Sequence, residues 1–131
     1  MPNPVLGILG GGQLGSLLAT SAKKLNIKTI IFSDDENAPA KNFSDEFIFG
    51  NYNDEEKIRY FSDCVDVVTF EFENIPFNTL DQINNLKPVL PKPNINKIVQ
   101  DRILEKNFIN KLNINTTQYV SINKIDDLSI N

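Results

Sequence analysis

Short apolar runs alternate with stretches of helical periodicity over the first two thirds of the chain. The runs predict strands at residues 5–9, 29–32, 46–50 and 65–70, and a short one between prolines at 88–91. Helices are expected at residues 14–25, 54–61 and 77–86, and a short turn or helix at 38–40. This alternation predicts an α/β fold, with a parallel sheet flanked by helices.

The first helix is predicted from apolar and small residues that recur every three or four positions. They are Leu14, Leu17, Leu18, Ser21, Ala22 and Leu25. Lys23 and Lys24 suit the C-terminal end of such a helix, where the dipole is negative.

The character of the chain changes after Pro93. Apolar residues at 95, 98 and 99 predict a short helix, and those at 104, 108 and 112 form one stripe of a second helix over residues 101–112. A strand is expected at 117–122 and the start of a helix at 126–128. We therefore expect one domain over residues 1–92, and hinge helices with the start of a second domain over residues 93–131.

A glycine-rich run, Gly-Gly-Gly-Gln-Leu-Gly at residues 10–15, joins the first strand to the first helix. Such a junction combines free backbone N–H groups with the positive end of a helix, which suits a phosphate group. Glycine permits the tight turn and leaves room for a ligand to approach the backbone. Three adjacent glycines exceed what a turn needs, so the run favours phosphate binding over a purely structural turn.

The spacing Gly10-x-Gly12-x-x-Gly15 also matches the dinucleotide fingerprint. That fingerprint expects an acidic residue about 20 positions later for the ribose hydroxyls, and Asp34 and Asp35 stand near that place. A nicotinamide-binding module is therefore a serious alternative.

Three polar clusters follow predicted strands, at residues 10–15, 33–36 and 71–74. Ligands of parallel sheets bind at the carboxyl ends of the strands, so we expect these clusters to converge on one cleft. If the fourth strand continued past Phe70, alternation would place Glu71 and Glu73 of the third cluster on the same side of it. Together with Asn74, these carboxylates could hold an amine or sugar hydroxyls. Spacing alone slightly favours a solvated strand end with Asn74 capping the turn.

A fourth group of charges, Asp101 and Arg102 with Glu105 and Lys106, has helical spacing. Ion pairs on an exposed helix face explain it fully. An arginine that binds phosphate at the start of a helix is the sharper alternative.

Composition narrows the possible functions. The 131 residues carry a net charge of −4, which argues against a broad nucleic-acid surface, and no apolar run approaches the ~18 residues of a membrane span. The start of the chain lacks the features of a signal peptide, so a cytoplasmic protein is expected.

With no histidine and a single cysteine, Cys64, the chain lacks histidine-based triads and cysteine zinc clusters. We interpret Cys64 as a half-buried structural thiol at the mouth of a strand.

Taken in order, these motifs resemble 5-(carboxyamino)imidazole ribonucleotide synthase, an ATP-grasp ligase of purine biosynthesis. The resemblance covers almost the whole chain. It rests on the glycine run, on Ala-Pro-Ala at 38–40, on Asp-Val-Val-Thr-Phe-Glu-Phe-Glu-Asn-Ile-Pro at 66–76, and on Gln-Asp-Arg at 100–102 with Glu105 and Lys106. The segment at 71–76 together with Gln-Asp-Arg is far more specific than the glycine run.

The resemblance implies a Rossmann-like pre-ATP-grasp domain followed by the start of an ATP-grasp domain. It also implies a reaction in which ATP and bicarbonate form carboxyphosphate, which then carboxylates the amine of 5-aminoimidazole ribonucleotide. No catalytic residue and no metal ligand is expected within this chain, and the Mg²⁺ that accompanies ATP would be held elsewhere. No nucleic acid or membrane is expected as a partner, and a homodimer is expected for the full-length enzyme.

The resemblance implies a role for several individual residues. Gly11, Gly12, Gln13 and Leu14 would receive the 5′-phosphate of the ribonucleotide. Glu73, beside Asn74, would lie near its ribose or amine, and Arg102 would contact ATP. Family members continue well beyond 131 residues, so this chain is expected to be an N-terminal portion that is inactive alone, with Ile103, Leu104 and Phe108 exposed.

Two competing hypotheses remain. One is a free-standing NAD- or nucleotide-binding module. The other is a related ATP-grasp ligase that acts on a different ribonucleotide, such as glycinamide ribonucleotide.

Overall fold

The computed structural model describes residues 3–122 and 124–125. The chain divides into two compact units, one ending at Lys97 and the other beginning at Ile98. None of the helices in the described part of the chain has the length and apolar character needed to cross a bilayer.

The first unit is built on a four-stranded parallel sheet in the order β3-β2-β1-β4. The strands are β1 (Val5–Leu9), β2 (Lys28–Ser33), β3 (Glu46–Phe49) and β4 (Val67–Phe70). All four had been predicted from their apolar runs, and the α/β fold with a parallel sheet is confirmed. The register pairs Leu9 with Phe32 on one side and with Phe70 on the other, so the three strands end level.

Helices α1 (Gln13–Lys24) and α2 (Glu55–Cys64), with a short 3₁₀-helix at Pro39–Asn42, connect the strands, and α3 (Phe77–Leu86) follows β4. The helix α1 and the 3₁₀-helix pack on one face of the sheet, and α2 and α3 pack on the other. Two more helices come later in the chain, α4 (Pro93–Val99) and α5 (Arg102–Lys111). Asp54 caps α2, since its side chain accepts a hydrogen bond from the N–H of Lys57 at 3.1 Å. Each of these helices had been predicted to within a few residues.

The core of the first unit lies on the two faces of the sheet. On one face, Leu9 and Phe32 pack with Phe61 of α2 and Leu80 of α3. On the other, the neighbouring strand residues Ile8 and Ile31 pack with small residues, Ala19 of α1 and Ala40 of the 3₁₀-helix. Successive residues of a strand point to opposite faces, and both faces of this sheet are buried. Apolar residues are therefore needed at successive positions, which is why the central strands appear in the sequence as continuous apolar runs.

Helix α1 forms where expected, but a different face of it is buried. Its buried residues are Gly15, Ser16, Ala19 and Ala22. The leucines that predicted the helix are exposed, with Leu14, Leu17 and Leu25 more than half accessible. Small residues face the sheet because α1 lies close to it: a Cβ added to Gly15 would lie only 2.9 Å from the carbonyl oxygen of Gly10.

The strand expected at 88–91 is reduced to a single bridge between Val68 and Val89. Prolines at 88 and 91 lack the N–H groups that a longer ladder would need. Cys64 was predicted to lie at the mouth of a strand, but it is the last residue of α2, and β4 begins only at Val67. Its side chain is half-buried, as predicted.

In the second unit, α5 begins after Asp101, whose carboxylate accepts from the N–H groups of Ile103 and Leu104 at 2.9 and 3.0 Å. Leu104 and Phe108 are exposed, as expected, and Ile103 is half-buried. The strand predicted at 117–122 is wrong: these residues are irregular, because no described segment pairs with them. The helix start expected at 126–128 lies outside the described residues.

Candidate functional site

The turn after β1 has a backbone that only glycine accommodates well. Gly10 has φ = +103°, and its N–H donates to the carbonyl of Phe32 at 2.9 Å. A Cβ added there would lie 2.8 Å from Oε1 of Glu71 and 2.9 Å from Cβ of Phe72. Both the dihedral angle and the space therefore require glycine.

Helix α1 begins directly after this turn with an uncapped N-terminus. Its N-cap is Gly12, which has no side chain to cap the helix, and its first turn contains no acidic residue. The N–H groups of a first helical turn have no partner within the helix and carry partial positive charge. They can therefore receive an anionic group of a ligand.

One of the amides at this junction is already occupied by a carboxylate of the protein. The N–H of Gly12 donates to Oε1 of Glu71 at 2.8 Å, and the backbone N–H of Glu71 donates to the carbonyl of Leu9 at 3.1 Å. Backbone and side chain together fix Glu71 above the glycine turn. A hydrogen bond to a carboxylate at a helix N-terminus is a strong one.

A cavity of about 260 Å³ opens beside Glu71 at the carboxyl ends of the strands. It is lined by Gly10, Gly11, Gly12, Ser33, Asp34, Asp35, Ala38, Pro39, Tyr52, Glu71 and Phe72. The predicted convergence of the three polar clusters is confirmed in that each contributes to this lining. The lining holds three carboxylates and, among the described residues, no lysine or arginine.

Tyr52 forms part of the cavity wall and is only 5% exposed. Burial, reinforced by the nearby carboxylates of Asp34 and Glu71, raises the pKa of Tyr52 to about 12, against the opposing hydrogen bonds from Ser33 and the backbone of Asp34. The backbone carbonyl of Tyr52 accepts from Oγ1 of Thr79 at 2.7 Å, which ties the loop after β3 to α3. Tyr52 is therefore a neutral, fixed wall of the cavity at physiological pH.

We expect the free energy of unfolding to fall between pH 10 and pH 12, in part because of Tyr52. The folded state holds the phenolic proton up to about pH 12 and the unfolded chain releases it near pH 10, so the stabilisation is complete below pH 10 and is lost above it. Urea unfolding across this range should show a smaller decline in Tyr52→Phe than in the wild type.

Tyr60 contributes over the same pH range, so the share that belongs to Tyr52 is found by comparing Tyr52→Phe with the wild type. A hydrogen bond to Glu46, at 2.8 Å, raises the pKa of the exposed Tyr60 to about 12 as well, so direct absorbance would not separate the two phenols. Equal declines in Tyr52→Phe and the wild type would show that Tyr52 does not titrate in this way.

Comparison with known proteins places this geometry in a family. Residues 4–100 match the family model of the ribonucleotide synthetase preATP-grasp domain. The chain belongs to this family. The resemblance that the sequence motifs indicated is thereby confirmed.

Relatives of the preATP-grasp chain include an N5-carboxyaminoimidazole ribonucleotide synthase of Brucella melitensis, 36% identical over 90% of this chain and 33% of the relative. Among solved structures, an ADP complex of an N5-carboxyaminoimidazole ribonucleotide synthetase has a TM-score of 0.93 at 30% identity, covering 98% of this chain and 34% of that one. The Aspergillus clavatus synthase in complex with ADP and 5-aminoimidazole ribonucleotide has a TM-score of 0.80 at 30% identity, covering 88% and 31%. The chain thus spans about a third of the length of these proteins.

Within the preATP-grasp domain, the predicted substrate residues fall into two groups. Gly11 and Gly12 line the cavity, whereas Gln13 and Leu14 are exposed in the first turn of α1. Glu73 and Asn74 are also exposed, and the described cavity lining holds Glu71 and Phe72 in their place.

Two residues of the cavity were not identified correctly from the sequence: Tyr52 was missed as a candidate, and Glu71 was given no role of its own. Glu71 had been grouped with Glu73 on the assumption that β4 continued, but the strand ends at Phe70. The pairing of Leu9 with Phe70 places Glu71 next to Gly10, and this register was the available signal. Tyr52 lies just beyond the end of β3, another strand of the same sheet. This position was a weaker indication that Tyr52 lies near the cavity.

Arg102 belongs to the second unit, at the start of α5. Its side chain is 73% exposed and forms an ion pair with Glu105 one turn along the helix. The interpretation of this cluster as ion pairs on a helix face is confirmed for Arg102 and Glu105, whereas Asp101 acts as the cap of α5. A contact of Arg102 with ATP stays a prediction.

Proposed function

We propose that this chain supplies the ribonucleotide-binding part of an ATP-dependent ligase that carboxylates 5-aminoimidazole ribonucleotide. The observation that carries the proposal is the combination of the preATP-grasp family match with a cavity where an uncapped helix N-terminus meets fixed carboxylates. The Aspergillus clavatus relative, described with ADP and 5-aminoimidazole ribonucleotide, supports this choice of ligand.

The charges around the cavity suggest how a ribonucleotide would be oriented. Asp34, Asp35 and Glu71 would repel a phosphate from the interior of the cavity, whereas they can accept hydrogen bonds from hydroxyl or amine groups. The phosphate would instead lie against the first turn of α1, on the amides of Gln13 and Leu14. This arrangement separates the anionic end of the ligand from its hydrogen-bond donors.

Of the four residues that the family resemblance assigns to the phosphate, Gln13 and Leu14 keep that role in this arrangement, whereas Gly11 and Gly12 take a different one. Gly11 and Gly12 would let the ligand approach the backbone, and Glu73 and Asn74 would complete the substrate site from the loop after β4. We add Glu71 to this set, because its carboxylate lines the cavity directly. No residue of this set is assigned a catalytic role.

For the complete ligase, we propose that ATP, bicarbonate and Mg²⁺ take part in the reaction, that Arg102 contacts ATP, and that the enzyme is a cytoplasmic homodimer. The ADP and ATP complexes of related synthetases support the nucleotide. Among the described residues, no group of three acidic or thiol side chains is arranged to hold a metal ion.

Isothermal titration calorimetry tests the proposal on the 131-residue chain. We expect binding of 5-aminoimidazole ribonucleotide, at least about tenfold weaker binding of the nucleoside that lacks the phosphate, and no heat from NAD. The expected difference reflects lost hydrogen bonds to a charged group, each of about 1.5–3 kcal/mol. Binding of NAD without any response to the ribonucleotide would overturn the proposal in favour of a dinucleotide module.

A further inference from the structure

A buried amide side chain lies behind the loop that carries Glu71. Asn96, on α4, is 1% exposed, and its Nδ2 donates to the carbonyl of Ile75 at 3.2 Å. Its Oδ1 is also buried and has no hydrogen-bond partner among the described residues. Burying an amide with an unpaired oxygen costs free energy that an apolar side chain would not cost, so packing alone does not explain this residue.

The bond from Asn96 is one of the points at which the loop after β4 is anchored. At the start of the loop, Glu71 is held through its backbone by Leu9 and through its carboxylate by Gly12. At the other end, the side chain of Ile75 is fully buried. Its N–H donates to the carbonyl of Phe72 at 3.3 Å.

The residues between these anchors are exposed. They are Phe72, Glu73 and Asn74, and the backbone bond from Ile75 back to Phe72 closes them into a short turn. A displacement of Ile75 is therefore passed directly to Phe72, which adjoins Glu71 and lines the cavity.

We propose that Asn96 is a positioning residue for the ribonucleotide site. By holding the carbonyl of Ile75, it fixes the turn at residues 72–75 and thereby the seating of the Glu71 carboxylate on Gly12. Asn96 itself is buried and touches no ligand. Sites that bind small molecules lose affinity when their contacting groups shift by even a fraction of an ångström, so an anchor of this kind affects binding through geometry. The effect on the ribonucleotide rests on the proposed function, whereas the effect on Glu71 and Gly12 does not.

The test uses Asn96→Ala and Asn96→Leu in the 131-residue chain, with amide hydrogen exchange measured residue by residue by NMR. We expect the Gly12 amide to exchange about tenfold faster in both variants, because its bond to Glu71 is seated less well. Exchange of the Gly10 amide, which is bonded to Phe32 of β2, should stay unchanged. Asn94→Leu is the matched control, since Asn94 is exposed on the same helix.

Calorimetry with 5-aminoimidazole ribonucleotide gives a second readout, expected to show about tenfold weaker binding with little change in the urea midpoint. Unchanged Gly12 exchange in a folded variant would overturn the inference, and so would unfolding of both variants, which would give Asn96 a purely structural role. If the wild-type chain does not bind the ribonucleotide, the proposed function fails while the exchange result still decides the role of Asn96.

Discussion

Replacing Gly10 with alanine is expected to abolish measurable ribonucleotide binding and to destabilise the fold. The residue has φ = +103°, and forcing a side chain into such a conformation costs about 1–3 kcal/mol. The added Cβ would also lie 2.9 Å from Cβ of Phe72, which is attached directly to the backbone and cannot move alone. The loop after β4 must therefore shift, and Glu71 shifts with it.

The loss of binding should be at least comparable in free energy to the loss of stability. A shift of about 1 Å in a positioning group can reduce function by about a hundredfold. Gly10→Ala changes both walls of the cavity at once, because the turn and Glu71 are bonded to each other. Urea unfolding gives the change in the free energy of unfolding, and calorimetry gives the affinity of the folded variant.

Gly50→Ala is the matched control for Gly10→Ala. Its added Cβ would meet only the distal atoms of the Lys57 side chain, which is flexible and can move aside. We expect a small change in stability and unchanged binding. Normal binding by Gly10→Ala would show that the geometry of the glycine turn does not determine the site.

The strands were predictable because of how they are buried. A central parallel strand such as β1 is buried on both faces, with Leu9 on one face and Ile8 on the other. Its sequence is therefore a continuous apolar run and lacks the regularly spaced polar positions of an amphipathic helix. Parallel strands also need crossover connections, which accounts for the helices between them. At residues 117–122, where Tyr119, Val120 and Ile122 favour a strand, none is formed, because composition does not supply a partner for the backbone hydrogen bonds.

The buried face of α1 was not predictable from periodicity. The leucines and the small residues of this helix both recur every three or four positions, and hydrophobicity favours the leucines. What decides the face is the distance between helix and sheet, which the glycine turn makes short. At that distance Gly15 and Ala19 fit, and a leucine would not.

The candidate site was predictable as a place but not in its individual contacts. The order of elements placed three polar clusters at one edge of the sheet, and topology alone brought them together. Which carboxylate reaches the glycine turn depends on where β4 ends. Since the strand stops at Phe70, Glu71 occupies the position beside Gly10, and the alternation that paired it with Glu73 no longer applies.

Replacing Phe61 with alanine is expected to reduce the free energy of unfolding by about 3–5 kcal/mol. The ring of Phe61 is fully buried, and its centroid lies 5.7 Å from that of Phe32. It also packs on the bare backbone of Gly7, where an added Cβ would lie 2.6 Å from Cζ of Phe61. No neighbouring side chain can fill that space from β1, so the cavity left by the substitution would stay largely open.

The size of this loss matters because small domains are stable by only about 5–15 kcal/mol. Urea unfolding should show a lower midpoint with the same slope, which marks a loss of stability without a change in the surface exposed on unfolding. Phe43→Ala is the matched control: Phe43 is 50% exposed, so its removal should change the free energy of unfolding by less than about 1 kcal/mol. Equal effects of the two substitutions would show that the interface between α2 and the sheet does not dominate the stability of the first unit. A large effect of Phe61→Ala alone would instead establish that the packing of Phe61 against Gly7 and Phe32 supports the strands from which the candidate site extends.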